Sequence, residues 1–233
     1  MPVVLASHKE DIRMKSQRIY IACILAGSAF CFSLTAHAQK QTDIAGSVYG
    51  ALAGSTTSGI DIQTPSDSAG GLLEVRHIDS SLVGVEAAYS YNRANQVYFY
   101  TSQPPIPCNS SGNCFVPPIA ISANAHSLTG AWVVSRKMRH IQPFALAGSG
   151  ILLFIPSGGQ GNTSNATEFT FLFGAGLDWK FASHFGLRLQ YRDSFYKAPP
   201  LTGTGRYPLL DGSGLRNTYT HTQQPALGVY YRF

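Results

Sequence analysis

Apolar residues recur at every second position along much of this chain, the period of a β-strand with one apolar face. Phe169, Phe171, Phe173, Ala175, Leu177, Trp179 and Phe181 share one side of such a segment. Thr170, Leu172, Gly174, Gly176, Asp178 and Lys180 share the other. Phe185, Leu187, Leu189 and Tyr191 alternate with Arg188 and Gln190, and Leu73 and Val75 with Glu74 and Arg76. Val83, Val85, Ala87, Tyr89 and Tyr91 alternate with Gly84, Glu86, Ala88 and Ser90. Weaker alternation over 43–54, 122–135 and 141–155, with a last strand over 218–233, brings the predicted strands to eight.

The connections predict how these strands are joined. Those at 79–81, 136–140 and 182–184 are short. Those at about 55–68, 101–121, 156–167 and 197–217 are longer and rich in Gly, Pro, Ser, Thr and Asn. Short and long alternate strictly, as in an up-and-down barrel with tight turns at one end and loops at the other. Greek-key sandwiches do not produce that alternation.

Composition decides which face points inward. Only 12% of residues are charged, against about 25% in a typical soluble domain. Aromatic residues make up 12%, and Gly accounts for 23 positions. Disorder is excluded, because disordered chains are charge-rich and aromatic-poor. Beyond residue 40 no run approaches the ~18 apolar residues of a spanning helix. An all-β, eight-stranded antiparallel up-and-down transmembrane β-barrel fits these facts, with its apolar faces toward lipid and its small or charged faces inside.

Residues 1–38 read as a signal peptide. Lys15 and Arg18 precede the apolar stretch Ile19 to Leu34, and Ala36-His37-Ala38 is an A-x-A cleavage signal. Met14 is an alternative start that would give a more usual leader length. The barrel domain then spans 39–233. Cleavage removes four basic and two acidic residues and lowers the net charge from +5 to +3. The basic character therefore does not point to a nucleic-acid partner.

The chain ends on Gly228-Val229-Tyr230-Tyr231-Arg232-Phe233. Here it resembles the eight-stranded outer-membrane β-barrel family, which includes OmpA- and OmpX-like barrels and opacity adhesins. Gly228, Tyr231 and Phe233 match the family's C-terminal assembly signal, while Ala226 stands where a polar residue is usual. The resemblance implies integral residence in the bacterial outer membrane, contact with membrane lipid and lipopolysaccharide, and delivery by the barrel assembly machinery. It also implies a monomer with a structural or adhesive role, in which outer loops meet a host or surface protein ligand.

The inward positions Glu74, Arg76, Glu86, Asp178, Lys180, Arg188, Arg192 and Arg232 carry both signs. Charges inside a low-dielectric barrel must pair, so they are expected to form an interior network. A narrow passive channel lined by the same charges is the alternative. Tyr89, Tyr91, Trp132, Trp179, Phe181, Phe185, Tyr196, Tyr231 and Phe233 read as girdles at the two membrane interfaces. In the loop 101–121, which has no charged residue, Cys108 and Cys114 read as a disulfide between proline-rich arms. Such a ring would contribute roughly 2.4 kcal/mol in the chain-entropy relation.

Catalysis is not expected, and neither is a cofactor or metal. A lipid A-modifying enzyme would need a His and a Ser within reach of one another. His126 and Ser127 are adjacent and point to opposite faces, His221 lacks a His-x-Ser neighbour, and His140 and His184 fall in the short turns. Deleting Phe233 is expected to abolish assembly, read as loss of the protein from the outer-membrane fraction. Normal assembly would refute the C-terminal signal.

Overall fold

The computed structural model describes residues 40–58, 61–79, 82–100, 118–159, 163–201 and 218–233. The leader over 1–38 and the alternative start Met14 lie outside these residues. The described residues form ten strands: β1 (Gln41–Ala53), β2 (Thr56–Ser58), β3 (Asp61–Pro65), β4 (Ser68–Ile78), β5 (Val83–Tyr100), β6 (Ile119–Ser135), β7 (Ile141–Gly159), β8 (Ala166–Lys180), β9 (Phe185–Lys197) and β10 (Tyr219–Arg232).

Eight of these, β1 and β4 to β10, pair antiparallel in the order β5-β4-β1-β10-β9-β8-β7-β6. The β5–β6 ladder then closes the ring, from Val83↔Val134 to Tyr98↔Ile119. No edge of the barrel is left unpaired, so every strand meets the membrane with its backbone satisfied. The short connections at 136–140 and 182–184 are hydrogen-bonded turns at one end. Met138 N–H, for example, donates to the Ile141 carbonyl, and Phe181 N–H to that of Phe185.

The alternation fixes the two faces as the sequence predicts. Val48, Leu73, Leu128, Trp132, Phe171 and Leu227 stand exposed on the outer wall, with Val48 70% and Trp132 67% accessible. In water so large an apolar surface would be untenable, whereas hydrocarbon is its natural solvent. Opposite parity brings Glu74, Arg76, Glu86, Asp178 and Arg188 inside.

Two sequence expectations change. The loop at 55–68 is a hairpin: β2 pairs with β3, and β3 adds to the far end of β5 from Asp61↔Tyr100 to Pro65↔Gln96. Strands β5, β6 and β7 also run past their predicted limits. Beyond the membrane a strand needs no apolar outer face, so the alternation that marks it in sequence disappears. Here polar pairing takes over, as in the buried Gln63 Nε2 donating to Gln96 Oε1 at 2.7 Å.

The second change concerns the cysteines. Among the described residues no disulfide is present, and the expected Cys108–Cys114 bridge is not upheld. Both residues lie outside the described ones. A bridge needs Cα atoms about 4.4–6.8 Å apart with converging Cβ vectors, and closeness in sequence imposes neither.

Inside an eight-stranded barrel there is room only for side chains that fit. At Gly186 an added Cβ would run into the ring of Tyr230, whereas at the outward Gly71 it would meet nothing within 4 Å. Gly186→Val is therefore expected to lower stability by about 1–3 kcal/mol through overpacking, and Gly71→Val to be neutral. Denaturant unfolding of the refolded barrel checks both; equal effects would contradict the assigned faces.

Candidate functional site

The interior is built in three levels, and register creates the first. Asp43 on β1 lies opposite both Arg76 on β4 and Arg232 on β10. Arg76 lies opposite Glu86, and Asp178 opposite Arg188. Cross-strand neighbours of opposite sign thus meet inside as a consequence of pairing alone. Arg76 Nη2 donates to Glu86 at 2.6 Å and Arg188 to Asp178 at 2.8 and 2.9 Å, while the Arg188 bond to Asp43 at 2.7 Å reaches from β9 past β10 to β1.

Other contacts cross the lumen. Arg76 on β4 reaches Asp178 on β8 at 3.4 Å, although these strands are not neighbours. Arg192 stands 3.5 Å from Glu74 and 3.4 Å from Glu86. Gln190 Nε2 donates to both Glu74 oxygens at 2.9 Å. Arg76 also stacks over the Phe144 ring at 3.9 Å. Arg76, Arg188, Arg192 and Arg232 face Asp43, Glu74, Glu86 and Asp178, so the pairing is balanced in charge.

Seven of the eight predicted charges belong to this set. Arg232 sits at its lower margin, 3.8 Å from Asp43 and 3.9 Å from Asp178. Lys180 does not join, because it is the last residue of β8 and is exposed at the rim. Asp43, fully buried, was missed. Its strand carries Gly46 and Gly50 among its outward positions, which blurs the apolar face that would have revealed its parity.

Above the charges lies a cavity of about 30 Å³, lined by Ser90, Asn92, Ser127, Thr170, Ser194 and Thr222 among others. That volume accommodates about two or three waters. A third level shuts the outer mouth. After β9 the chain turns inward, and Ala198 and Leu201 pack fully buried against Tyr98, Ile119, Ile121 and Phe154. The Tyr98 hydroxyl donates to the Pro199 carbonyl at 2.8 Å, and Ser164 N–H to that of Leu201 at 3.2 Å. Burial pushes the Tyr98 phenol well above its ordinary range. Tyr196, expected in a girdle, belongs here instead: it is inward, buried, and bonded to Thr222 Oγ1 at 2.8 Å.

At the opposite end Tyr231 and Phe233 stand outward, edge to face at 5.1 Å. Phe233 N–H donates to the Thr42 carbonyl at 3.0 Å. Gly228 is inward, where a Cβ would collide with Ser47, and Ala226 packs with Tyr49. These contacts account for the small residues at both positions within the barrel itself.

The histidines are dispersed. His126 lies on the outer wall with Nδ1 2.8 Å from the Tyr89 hydroxyl, while Ser127 faces the cavity. His184 bonds the Arg232 carbonyl at 2.9 Å, and His140 is exposed in a short turn. His221 pairs with Asp193 at 3.1 Å, a partner that sequence separation concealed. Among the described residues no group of three or more His, Cys, Asp or Glu could hold a metal ion.

No family model matches the sequence, and no curated protein is detectably similar to it. Solved structures do share the fold. The outer membrane protein OprG from Pseudomonas aeruginosa superposes with a TM-score of 0.54 at 10% identity, covering 86% of this chain and 99% of its own. Neisserial surface protein A gives 0.50 at 10% identity, over 84% and 99%. Ail of Yersinia pestis, solved with the heparin analogue sucrose octasulfate, gives 0.46 at 17% identity, over 84% and 99%. The apolar outer wall, the closed even-stranded barrel and the alternation of turns and loops make this chain an integral outer-membrane barrel.

Arg188→Met leaves Asp43 and Asp178 buried without their principal cation. The expected loss is about 3–5 kcal/mol of unfolding free energy, read by urea denaturation in lipid vesicles. An unchanged midpoint would mean that the network does not hold the barrel together.

Proposed function

We propose that this outer-membrane barrel is a closed, non-catalytic surface protein that supports the membrane and engages a host or surface protein ligand through its outer end. The observation that carries this reading is the double closure of the lumen. A conducting path would have to part the Arg76–Asp178 and Arg188–Asp43 bridges below and displace Leu201 above. Desolvated ion pairs of this kind resist such rearrangement, because each charge left alone is severely penalised.

The outer end supports a role in binding. The β5 and β6 ladder continues from Tyr91↔His126 to Tyr98↔Ile119, and β3 thickens it on the other side. Rigid stems hold loops in a small set of positions, which lowers the ordering cost of binding. The uncharged, proline-rich segment 101–118 springs from this stem. Protein contact through apolar surface suits it better than capture of a polyanion.

The reading makes three measurable claims. In planar bilayers the purified barrel is expected to show no unit conductance steps, and reproducible steps would favour the passive channel. Cells displaying the protein with 103–116 replaced by a short Gly-Ser linker are expected to lose binding to host or matrix proteins. Retained binding would refute the loop assignment. Lipid A from cells with and without the protein is expected to have identical acyl chains, and a difference would restore the enzymatic alternative.

A further inference from the structure

Three polar side chains interrupt the apolar outer wall near the junction of β9, β10 and β1. Asp193 falls in the outward row that includes Leu189, Tyr191 and Phe195, and His221 and Gln223 in the row of Leu227 and Val229. Register joins them: Gln223 lies opposite Asp193, and His221 opposite Phe195. None of the three takes part in closing the lumen.

The geometry is that of a held imidazole. His221 Nδ1 lies 3.1 and 3.3 Å from the two Asp193 oxygens. Its ring stacks on Phe195 at 5.4 Å and 14°, and Phe195 stacks on Phe173 at 5.5 Å and 22°. The far edge of the imidazole lies over Gly54, where a Cβ would sit only 3.2 Å from Cδ2 and Nε2. A carboxylate, a row of aromatic rings and an absent side chain thus fix the ring in one orientation. Asp193 is only 7% exposed, while the His221 side chain is 39% exposed.

Depth sets what this pair can meet. The long loops mark this end of the barrel as the outer one. Lys197 lies four residues beyond Asp193 on β9, roughly 13 Å along the strand and ~9 Å in depth at a ~45° tilt. A lysine at a strand end extends its ammonium to the headgroups. Asp193 therefore lies below them, at the level where acyl chains join the polar part of a lipid. An ionisable pair at that depth is expensive and marks a functional site.

With Nδ1–H directed to Asp193, Nε2, at the ring edge over Gly54, is the nitrogen of His221 with no hydrogen-bond partner among the described residues, on a side chain that is 39% exposed. A neutral imidazole accepts a hydrogen bond there and an imidazolium donates one; a hydroxyl group can satisfy either. We propose that His221, positioned by Asp193, binds a free hydroxyl of an outer-leaflet lipid, with an acyl chain lying on Phe173 and Phe195. Two sources carry that chemistry, the hydroxyacyl chains of lipopolysaccharide and the glycerol headgroup of phosphatidylglycerol.

The test uses the full barrel refolded into nanodiscs of phosphatidylethanolamine alone, with phosphatidylglycerol, or with lipopolysaccharide. Native mass spectrometry of the released protein reads which lipid stays bound. A preference of about tenfold over phosphatidylethanolamine is expected in one of the two mixed discs, the ratio that one good hydrogen bond supplies. The disc that shows it identifies the source. His221→Phe keeps a ring over Phe195 but removes the nitrogen, and is expected to abolish the preference without changing heat-modifiable gel migration. His221→Leu must give the same loss if the Phe variant does not refold. Retained preference in a refolded variant, or no preference by the wild-type protein in either mixture, would overturn the proposal.

Discussion

Ionic pairing across a low-dielectric interior is the constraint on which the rest of this barrel depends. Arg76 and Arg188 are fully buried, and each contacts carboxylates on more than one strand. Removing a guanidinium from water is so costly that only close, multiple partners offset it. The Arg76–Asp178 contact therefore acts as a strut between β4 and β8, and any change in barrel diameter would break it. Aromatic faces complete the arrangement, since Phe144 lies under Arg76 and Tyr230 lies near both Arg188 and Arg232.

The outer closure works by a different force. Ala198 and Leu201 enter an apolar cluster with Tyr98, Ile121 and Phe154, and the backbone carbonyls of that segment find donors in Tyr98 and Ser164. Hydrophobic packing at one level and ion pairing at another leave only a small cavity of mixed polar and apolar lining between them. The two seals respond to different perturbations, because removal of a methyl group weakens the first and removal of a charge the second.

The outer wall has its own division of labour. Aromatic rings at its margins suit the interfaces, and branched aliphatic residues between them suit hydrocarbon. The Asp193–His221 pair departs from this scheme, and the stack from Phe173 through Phe195 to His221 makes the departure an ordered one. Local alternation gave no sign of it. Asp193 and His221 lie 28 residues apart, on strands whose register alone brings them together.

Alternation in the sequence determined the eight strands, their antiparallel order and the face to which Glu74, Arg76, Glu86, Asp178 and Arg188 belong. It could do so because a bilayer imposes opposite demands on the two faces of every strand that crosses it. Where those demands end, legibility ended too, at the β2–β3 hairpin, at the outer extensions of β5 to β7 and at the position of Lys180. Tertiary structure alone decided the partners. Asp43 joined the network because β1 pairs with β10, beside the strand that carries Arg188, and Tyr196 turned into the outer cluster because the following segment folds over the mouth. Pairing register and chain reversal are properties of the closed barrel, and no single strand contains them.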